Sequence, residues 1–299
     1  MLQVKARAKI NWTLDVMGRR QDGYHWVDML MGSIELHDTL CLEEAEDITL
    51  TVQEEGQQDG TFYTPLDEKN LIIQAARSLR QTLGETRGAA IQLLKRIPVG
   101  AGLGGGSADA AAAIVGLCQL WKKSVPMGTK LALGLSIGAD VPFLLAGGLA
   151  SVKGVGEVLW PLPAPDPIWL VIVQPCEGLS TREVFEAYDH GPAGGTLRRP
   201  DKLEAQAALA VNDLPRLARA MGNVLEPVSI VKRPLIGNAI AELERLGAGR
   251  AMMTGSGSAV YGIFDDEIKA RAAGEKIRRR WRRTFVTQTA REGCTWRRL

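Results

Sequence analysis

Apolar and polar residues alternate from the start of the chain. Val4, Ala6, Ala8, Ile10, Trp12, Leu14 and Val16 fall at a period of two, which predicts a strand or a pair of strands over 2–17. By parity Lys9 and Asn11 lie on the polar face. A polar turn-rich segment follows, Gly18 to Gly23, then strands over 26–36, 38–42 and 47–52 and a polar loop over 53–65. Apolar residues at 71, 72, 75, 76, 79 and 83 form a helical stripe over 70–83. The run 89–97 predicts a strand, and 107–121 and 127–135 predict helices. Asp140, between Gly138-Ala139 and an apolar run holding Pro142, carries a helix-start pattern, and paired glycines at 147–148 and 154–156 punctuate short strands. Pro161, Pro163, Pro165 and Pro167 set a boundary between domains of residues 1–160 and 161–299. Beyond it, 168–173 predicts a buried strand and 180–188 a helix. Two short helices over 200–221 and an amphipathic helix over 235–246 follow. Strands over 251–254 and 259–264 flank a Gly-Ser loop; a helix over 265–281 and a closing strand over 285–290 complete the pattern. Strands and helices mix without a regular βαβ rhythm, so the class is α+β.

One segment stands out chemically. Pro98-Val99-Gly100-Ala101-Gly102-Leu103-Gly104-Gly105-Gly106-Ser107-Ala108 joins a strand to an alanine-rich helix. Its glycines can take φ > 0 and let backbone N–H groups converge. The helix that follows aims its free N–H groups and its dipole into the loop. Together these make an anion site, with phosphate the usual anion. No Gly-Lys-Ser/Thr closes the segment, so it is not a Walker A loop, and no βαβ unit surrounds it to make a dinucleotide fingerprint. A flexible surface loop is the alternative.

The 299 residues are 45% hydrophobic, with a formal net charge of +2, which argues neither for nor against a polyanionic partner. Positive charge does collect at 276–283, Lys-Ile-Arg-Arg-Arg-Trp-Arg-Arg. Such a run either binds RNA or is the solvated face of a helix. Cys41, Cys118, Cys176 and Cys294 are too dispersed for a zinc or redox motif, as are the three histidines for a metal cluster. There is no signal-peptide pattern and no run of ~18 apolar residues, so the expectation is a reduced cytoplasmic protein.

The glycine segment resembles the second motif of the GHMP small-molecule kinases. Thr254-Gly255-Ser256-Gly257-Ser258 is similar to their third motif. Lys9-Ile10-Asn11, then Asp22-Gly23-Tyr24-His25, Gly138-Ala139-Asp140-Val141-Pro142-Phe143 and Asn223-Val224-Leu225-Glu226-Pro227 resemble one branch of that superfamily. Its members phosphorylate the 2-hydroxyl of 4-diphosphocytidyl-2-C-methyl-D-erythritol. The likeness spans residues 4–264, and the basic tail lies outside it. It implies an N-terminal ATP-binding α+β domain, a ferredoxin-like C-terminal domain, and ATP with Mg²⁺ as cofactors. Its partner is a small-molecule substrate, not nucleic acid or membrane, and the enzyme is a monomer or weak homodimer.

The same resemblance gives the roles. The loop from Pro98 to Ala108 holds the ATP phosphates, with Ser107 reaching a phosphate or Mg²⁺, and Lys95 and Asn70 lie near the adenine. Asp140 is the general base, where the residue pattern alone makes it a helix cap. Lys9 orients that base and steadies the transferring group, and Asn11 meets the substrate near the reacting hydroxyl. Tyr24 and His25 hold the cytosine, with Phe185 as a second aromatic wall; packing in the core is the alternative for Phe185. Trp12 stands where a smaller aliphatic residue is expected and is predicted to reshape the substrate wall. Asp109 reads as a first-turn helix charge.

Overall fold

The computed structural model describes residues 1–55, 64–191 and 198–299. In chain order its elements begin with β1 (Leu2–Arg19), β2 (His25–Ala45), β3 (Ile48–Glu54), α1 (Leu71–Leu83), β4 (Gly88–Lys95), α2 (Gly105–Leu120), α3 (Met127–Ile137), α4 (Val141–Ala146), β5 (Leu149–Gly154) and β6 (Val158–Leu162). They continue with β7 (Trp169–Val173), α5 (Thr181–Asp189), α6 (Lys202–Ala210), α7 (Leu214–Ala220), β8 (Gly222–Asn223), α8 (Glu226–Lys232) and α9 (Leu235–Arg245). Then come β9 (Arg250–Met253), β10 (Val260–Phe264), α10 (Glu267–Arg278), β11 (Thr284–Gln288) and β12 (Cys294–Arg298). Residues 56–63, part of the predicted loop over 53–65, lie outside the described residues. No described helix is long and apolar enough to cross a membrane.

Two long strands form the spine. β1 and β2 pair antiparallel from Leu2↔Leu42 to Arg19↔His25, with register shifts at Arg7/Lys9, Asn11/Thr13 and Val16/Gly18. The period-two reading therefore holds for Val4, Ala6, Ile10 and Leu14, which are buried, while the bulges break strict alternation where Lys9 and Asn11 sit. Those two residues are buried as well, because loops cover the face that parity leaves to solvent. The 26–36 and 38–42 strands merge into the single β2. Its outer edge forks: Val27–Gly32 pairs with β5 and Thr39–Ala45 with β4.

The other edge of β1 is shared too. β12 pairs with residues 2–6 and β8 with residues 13–14. Between them the N–H groups of Arg7, Lys9 and Asn11 go to Gly293 O, Leu103 O and Thr254 Oγ1, at 2.9, 3.0 and 3.1 Å. A gap in the strand ladder has become the dock for the loops that carry Leu103 and Thr254.

α2 packs across β1 and β2. Gly116 makes this close approach possible, since a Cβ there would stand 3.0 Å from both Leu42 and Val4. α1 begins at Asn70, whose side chain accepts from Ile72 N, and stops at Gly84 with φ 57°.

The second sheet runs β11-β7-β10-β9, all antiparallel. With β7, α9, β9, β10, α10 and β11 in sequence order, this is the ferredoxin-like arrangement, expanded by α5 to α8 between its first strand and first helix. α9 packs on β9 and β10, and α10 on β7 and β11. The 276–283 run is not one exposed helix face: α10 stops at Arg278, Trp281 turns inward, and Arg283 Nη1 donates to Gln174 Oε1 at 3.0 Å. The sequence pattern ends in a strand near 285–290, whereas the chain forms one more, β12, back in the first sheet. A row of arginines there hides its alternation.

Candidate active site

The course of the glycine loop follows from its residues. Gly100, Gly102 and Gly104 take φ of 66°, 78° and 71°, while Ala101 and Leu103 between them are buried. Each glycine turns the chain and each intervening side chain pins it to the core. A side chain at Gly102 would run into the Thr254 carbonyl. Gly104 is the N-cap of α2 and offers no side chain to its first N–H groups, so these stay available to an anion. They open on a cavity of about 310 Å³. The predicted loop residues line it, apart from Leu103 and Ala108, which are buried. Asn70 and Lys95 line it as well.

Both of those side chains are already engaged with protein. Asn70 caps α1 and donates to Pro65 O at 2.6 Å. Lys95 Nζ lies 2.5 Å from Asp38 Oδ2 and 2.6 Å from Asp109 Oδ2, all three groups buried. Asp38 Oδ1 also accepts from the amides of Arg96 and Ile97, at 2.5 and 2.7 Å. The cluster ties β2, the end of β4 and α2 together at both ends of the loop. Asp109 is thus a buried ion-pair partner where the sequence suggested a first-turn charge. Burial pushes its carboxyl well above the ordinary value, with Lys95 pulling against it and Asp38 adding to it. Burial pulls the Lys95 ammonium down, but Asp109 and Asp38 together carry it above the ordinary lysine value.

Lys9 stands directly against the loop: a Cβ on Gly104 would come within 3.1 Å of Lys9 Cγ. Its Nζ donates to Asn11 Oδ1 at 2.9 Å and faces Asp140 Oδ2 at 3.8 Å. Asp140 occupies the N-cap position of α4 but makes no side-chain cap hydrogen bond, and its side chain is 35% exposed. Asn11, expected at the substrate, is fully buried. Its Oδ1 accepts from Lys9 Nζ, from Gly255 N at 3.0 Å and from Thr254 Oγ1 at 3.3 Å, and its carbonyl accepts from Tyr261 Oη at 2.8 Å. The 254–257 loop is held in turn by Asn223, whose Nδ2 donates to Met253 O and Gly255 O at 3.0 and 2.8 Å. Trp12 is no substrate wall. It is fully buried, packs edge-on to Tyr261 with centroids 5.9 Å apart, and fills space left by Gly32.

At the far end of β1 the His25 ring is buried, with Phe185 of α5 against it at a centroid distance of 4.7 Å and a tilt of 31°. Tyr24 beside it is 67% exposed. His25 Nε2 lies 2.7 Å from Asp189 Oδ1, and Asp189 Oδ2 pairs with Arg19 at 3.2 Å. Asp189 was not expected from the sequence; a lone acid at a helix end, 164 residues from its partner, gives no signal. α5 is linked to the third motif by Thr181 Oγ1 and Ser256 Oγ, 2.9 Å apart. Among the described residues no group of three or more acidic, histidine or cysteine side chains is arranged to hold a metal.

The chain as a whole has known counterparts. The family model for the GHMP kinases N terminal domain matches residues 70–148, and that for GHMP kinases C terminal matches residues 205–283. The chain is 42% identical to a 4-diphosphocytidyl-2-C-methyl-D-erythritol kinase of Pelotomaculum thermopropionicum, over 95% of this chain and 96% of that one. It is 38% identical to that of Alkaliphilus metalliredigens, over 96% of each. A crystal structure of 4-(cytidine 5'-diphospho)-2C-methyl-D-erythritol kinase superposes with a TM-score of 0.80 at 33% identity, covering 96% of this chain and 99% of that one. A homoserine kinase from Cytophaga hutchinsonii shares the fold, with a TM-score of 0.74 at 21% identity over 99% and 97% of the two chains. The chain belongs to the GHMP kinases and, within them, to the 4-diphosphocytidyl-2-C-methyl-D-erythritol kinase family.

Proposed function

We propose that this enzyme transfers the γ-phosphoryl group of ATP to the 2-hydroxyl of 4-diphosphocytidyl-2-C-methyl-D-erythritol, a step of non-mevalonate isoprenoid precursor synthesis. The observation that carries the reading is the Lys9–Asp140 pair set against the glycine loop. Phosphoryl transfer needs alignment, charge neutralisation and a place for the hydroxyl proton. The loop and the N-terminus of α2 hold the phosphates. Asp140, uncommitted as a cap, takes the proton as the hydroxyl oxygen bonds to the γ-phosphorus and the bond to the ADP oxygen breaks. Lys9, fixed by Asn11, balances the negative charge gathering between carboxylate and phosphoryl group. Asn11 acts by positioning Lys9 and Gly255. His25 and Phe185, with Tyr24 at the rim, take the cytosine.

Mg²⁺ suits this donor set, because such a site binds the ion largely through the substrate's phosphates. Ser107 would complete its shell, and the ion would offset phosphate charge. Lys95 and Asn70 shape the adenine end of the cavity. We assign residues 1–160 to the ATP-binding domain and 161–299 to the second, with the end of β6, Pro161–Leu162, still paired in the first sheet and β12 returning to it. The four cysteines are free, in keeping with a cytoplasmic enzyme, and we take it to act as a monomer or weak homodimer without nucleic acid. Turnover with ATP and the cytidylylated methylerythritol, following ADP and phosphorylated product, tests the function. ADP release with homoserine or mevalonate and none with this acceptor would overturn it.

A further inference from the structure

We propose that Asp189 is a positioning residue that fixes the His25 ring in the tautomer carrying its proton on Nε2, and that it thereby selects cytosine over uracil in the acceptor. This rests on the reading that His25 lies against the base. The geometry is specific. Asp189 Oδ1 lies 2.7 Å from His25 Nε2. An ionised carboxylate only accepts, so Nε2 carries the hydrogen. Phe185 packs on the ring face, so the ring does not turn freely, while the second carboxylate oxygen meets only the exposed Arg19, at 3.2 Å. His25 Nδ1 makes no hydrogen bond among the described residues. In the neutral ring that nitrogen is an acceptor. Cytosine presents an amino donor at its fourth position, where uracil presents a carbonyl oxygen. The first completes a hydrogen bond with Nδ1, and the second sets lone pair against lone pair. Without Asp189 the proton can move to Nδ1, and the ring then greets uracil as readily as cytosine.

The chain has only three histidines, so ¹⁵N NMR resolves the ring nitrogens directly. His37 is the internal reference of opposite type, because its Nδ1 lies 2.6 Å from the Glu35 carbonyl and must donate to it. The expected wild-type spectrum shows His25 protonated on Nε2 and His37 on Nδ1. Steady-state kinetics then compare the cytidine acceptor with its uridine counterpart for the wild type, Asp189→Ala and Arg19→Ala. Asp189→Ala should lower the cytidine-to-uridine ratio of kcat/KM about tenfold or more, as expected for one lost discriminating hydrogen bond, through KM for the cytidine acceptor with kcat kept. Arg19→Ala should leave the ratio within about twofold, which separates tautomer control from loss of a surface ion pair. A wild-type His25 protonated on Nδ1, or a ratio that survives Asp189→Ala, overturns the proposal. A wild type that ignores the cytidine acceptor overturns the assignment of the acceptor instead.

Discussion

Lys9 Nζ and Asp140 Oδ2 stand 3.8 Å apart, too far for a hydrogen bond and close enough for each charge to feel the other strongly. Lys9 is the fixed member, bonded to Asn11 and walled in by the glycine loop. Asp140 is the accessible one, with no cap bond to hold it. A carboxylate kept out of its ordinary helix-capping bond is available to a substrate proton.

Asp140→Asn keeps shape and removes basicity. A positioned base contributes typically 10²–10⁴-fold, so kcat should fall by about that factor while both substrates still bind. Lys9→Ala should act similarly, and the double mutant should lose less than the product of the two. Steady-state kinetics with binding measured by calorimetry checks this. A sharp fall in melting temperature with kcat unchanged would return Asp140 to a capping role.

Gly104→Val places a β-branched side chain at φ 71° and within about 3.1 Å of Lys9 Cγ. ATP should no longer raise the melting temperature, while the unliganded protein still melts cooperatively. Full ATP stabilisation in the variant would show that the loop is not the cradle.

Asp38→Ala leaves Lys95 short of a partner and the amides of Arg96 and Ile97 without their acceptor. Breaking a buried pair costs about 3–5 kcal/mol, so the urea midpoint should fall substantially. Arg182→Ala, which removes an exposed ion pair with Glu186, should leave it unchanged. Equal midpoints for the two variants would mean that the buried cluster contributes nothing to stability.

Burial pushes the Glu226 carboxyl above its ordinary value of 4.5, with the Met253 N–H pulling the other way. A group raised on folding favours the folded state fully below its unfolded value, and that contribution is lost as pH rises through the folded value. Glu226→Gln keeps an oxygen for Met253 N, 2.7 Å away, and cannot ionise. The variant should therefore gain on the wild type in melting temperature between pH 4.5 and 8, with no gain at pH 4. A constant offset across that range would assign the effect to packing.

Local signals were the legible ones. Asn70, Ser180, Asp201 and Asp266 each open a helix with a side-chain cap, and the glycine spacing at 100, 102 and 104 announced the loop. What stayed hidden depends on residues far apart in the chain. Nothing near Asp109 says that Asp38 and Lys95 will surround it, and nothing near His25 points to Asp189. α8 was hidden because Pro227 in its first turn reads as a breaker, although proline is tolerated there. Asn11 looked solvent-facing because parity assumes an unbroken strand, whereas β1 carries bulges there and two loops cover it.

β12 completes the edge of the strand that carries Lys9 and Asn11. During synthesis residues 2–6 precede residues 294–298 and must wait for them before that edge is closed. Until then β1 presents apolar side chains and unpaired backbone to its surroundings, a template for mispairing with neighbouring chains. The strand that carries Lys9 and Asn11 is thus made long before this edge is sealed, and the sealing waits on residues 294–298 rather than proceeding domain by domain along the way. Chaperone demand of the nascent chain should accordingly peak late.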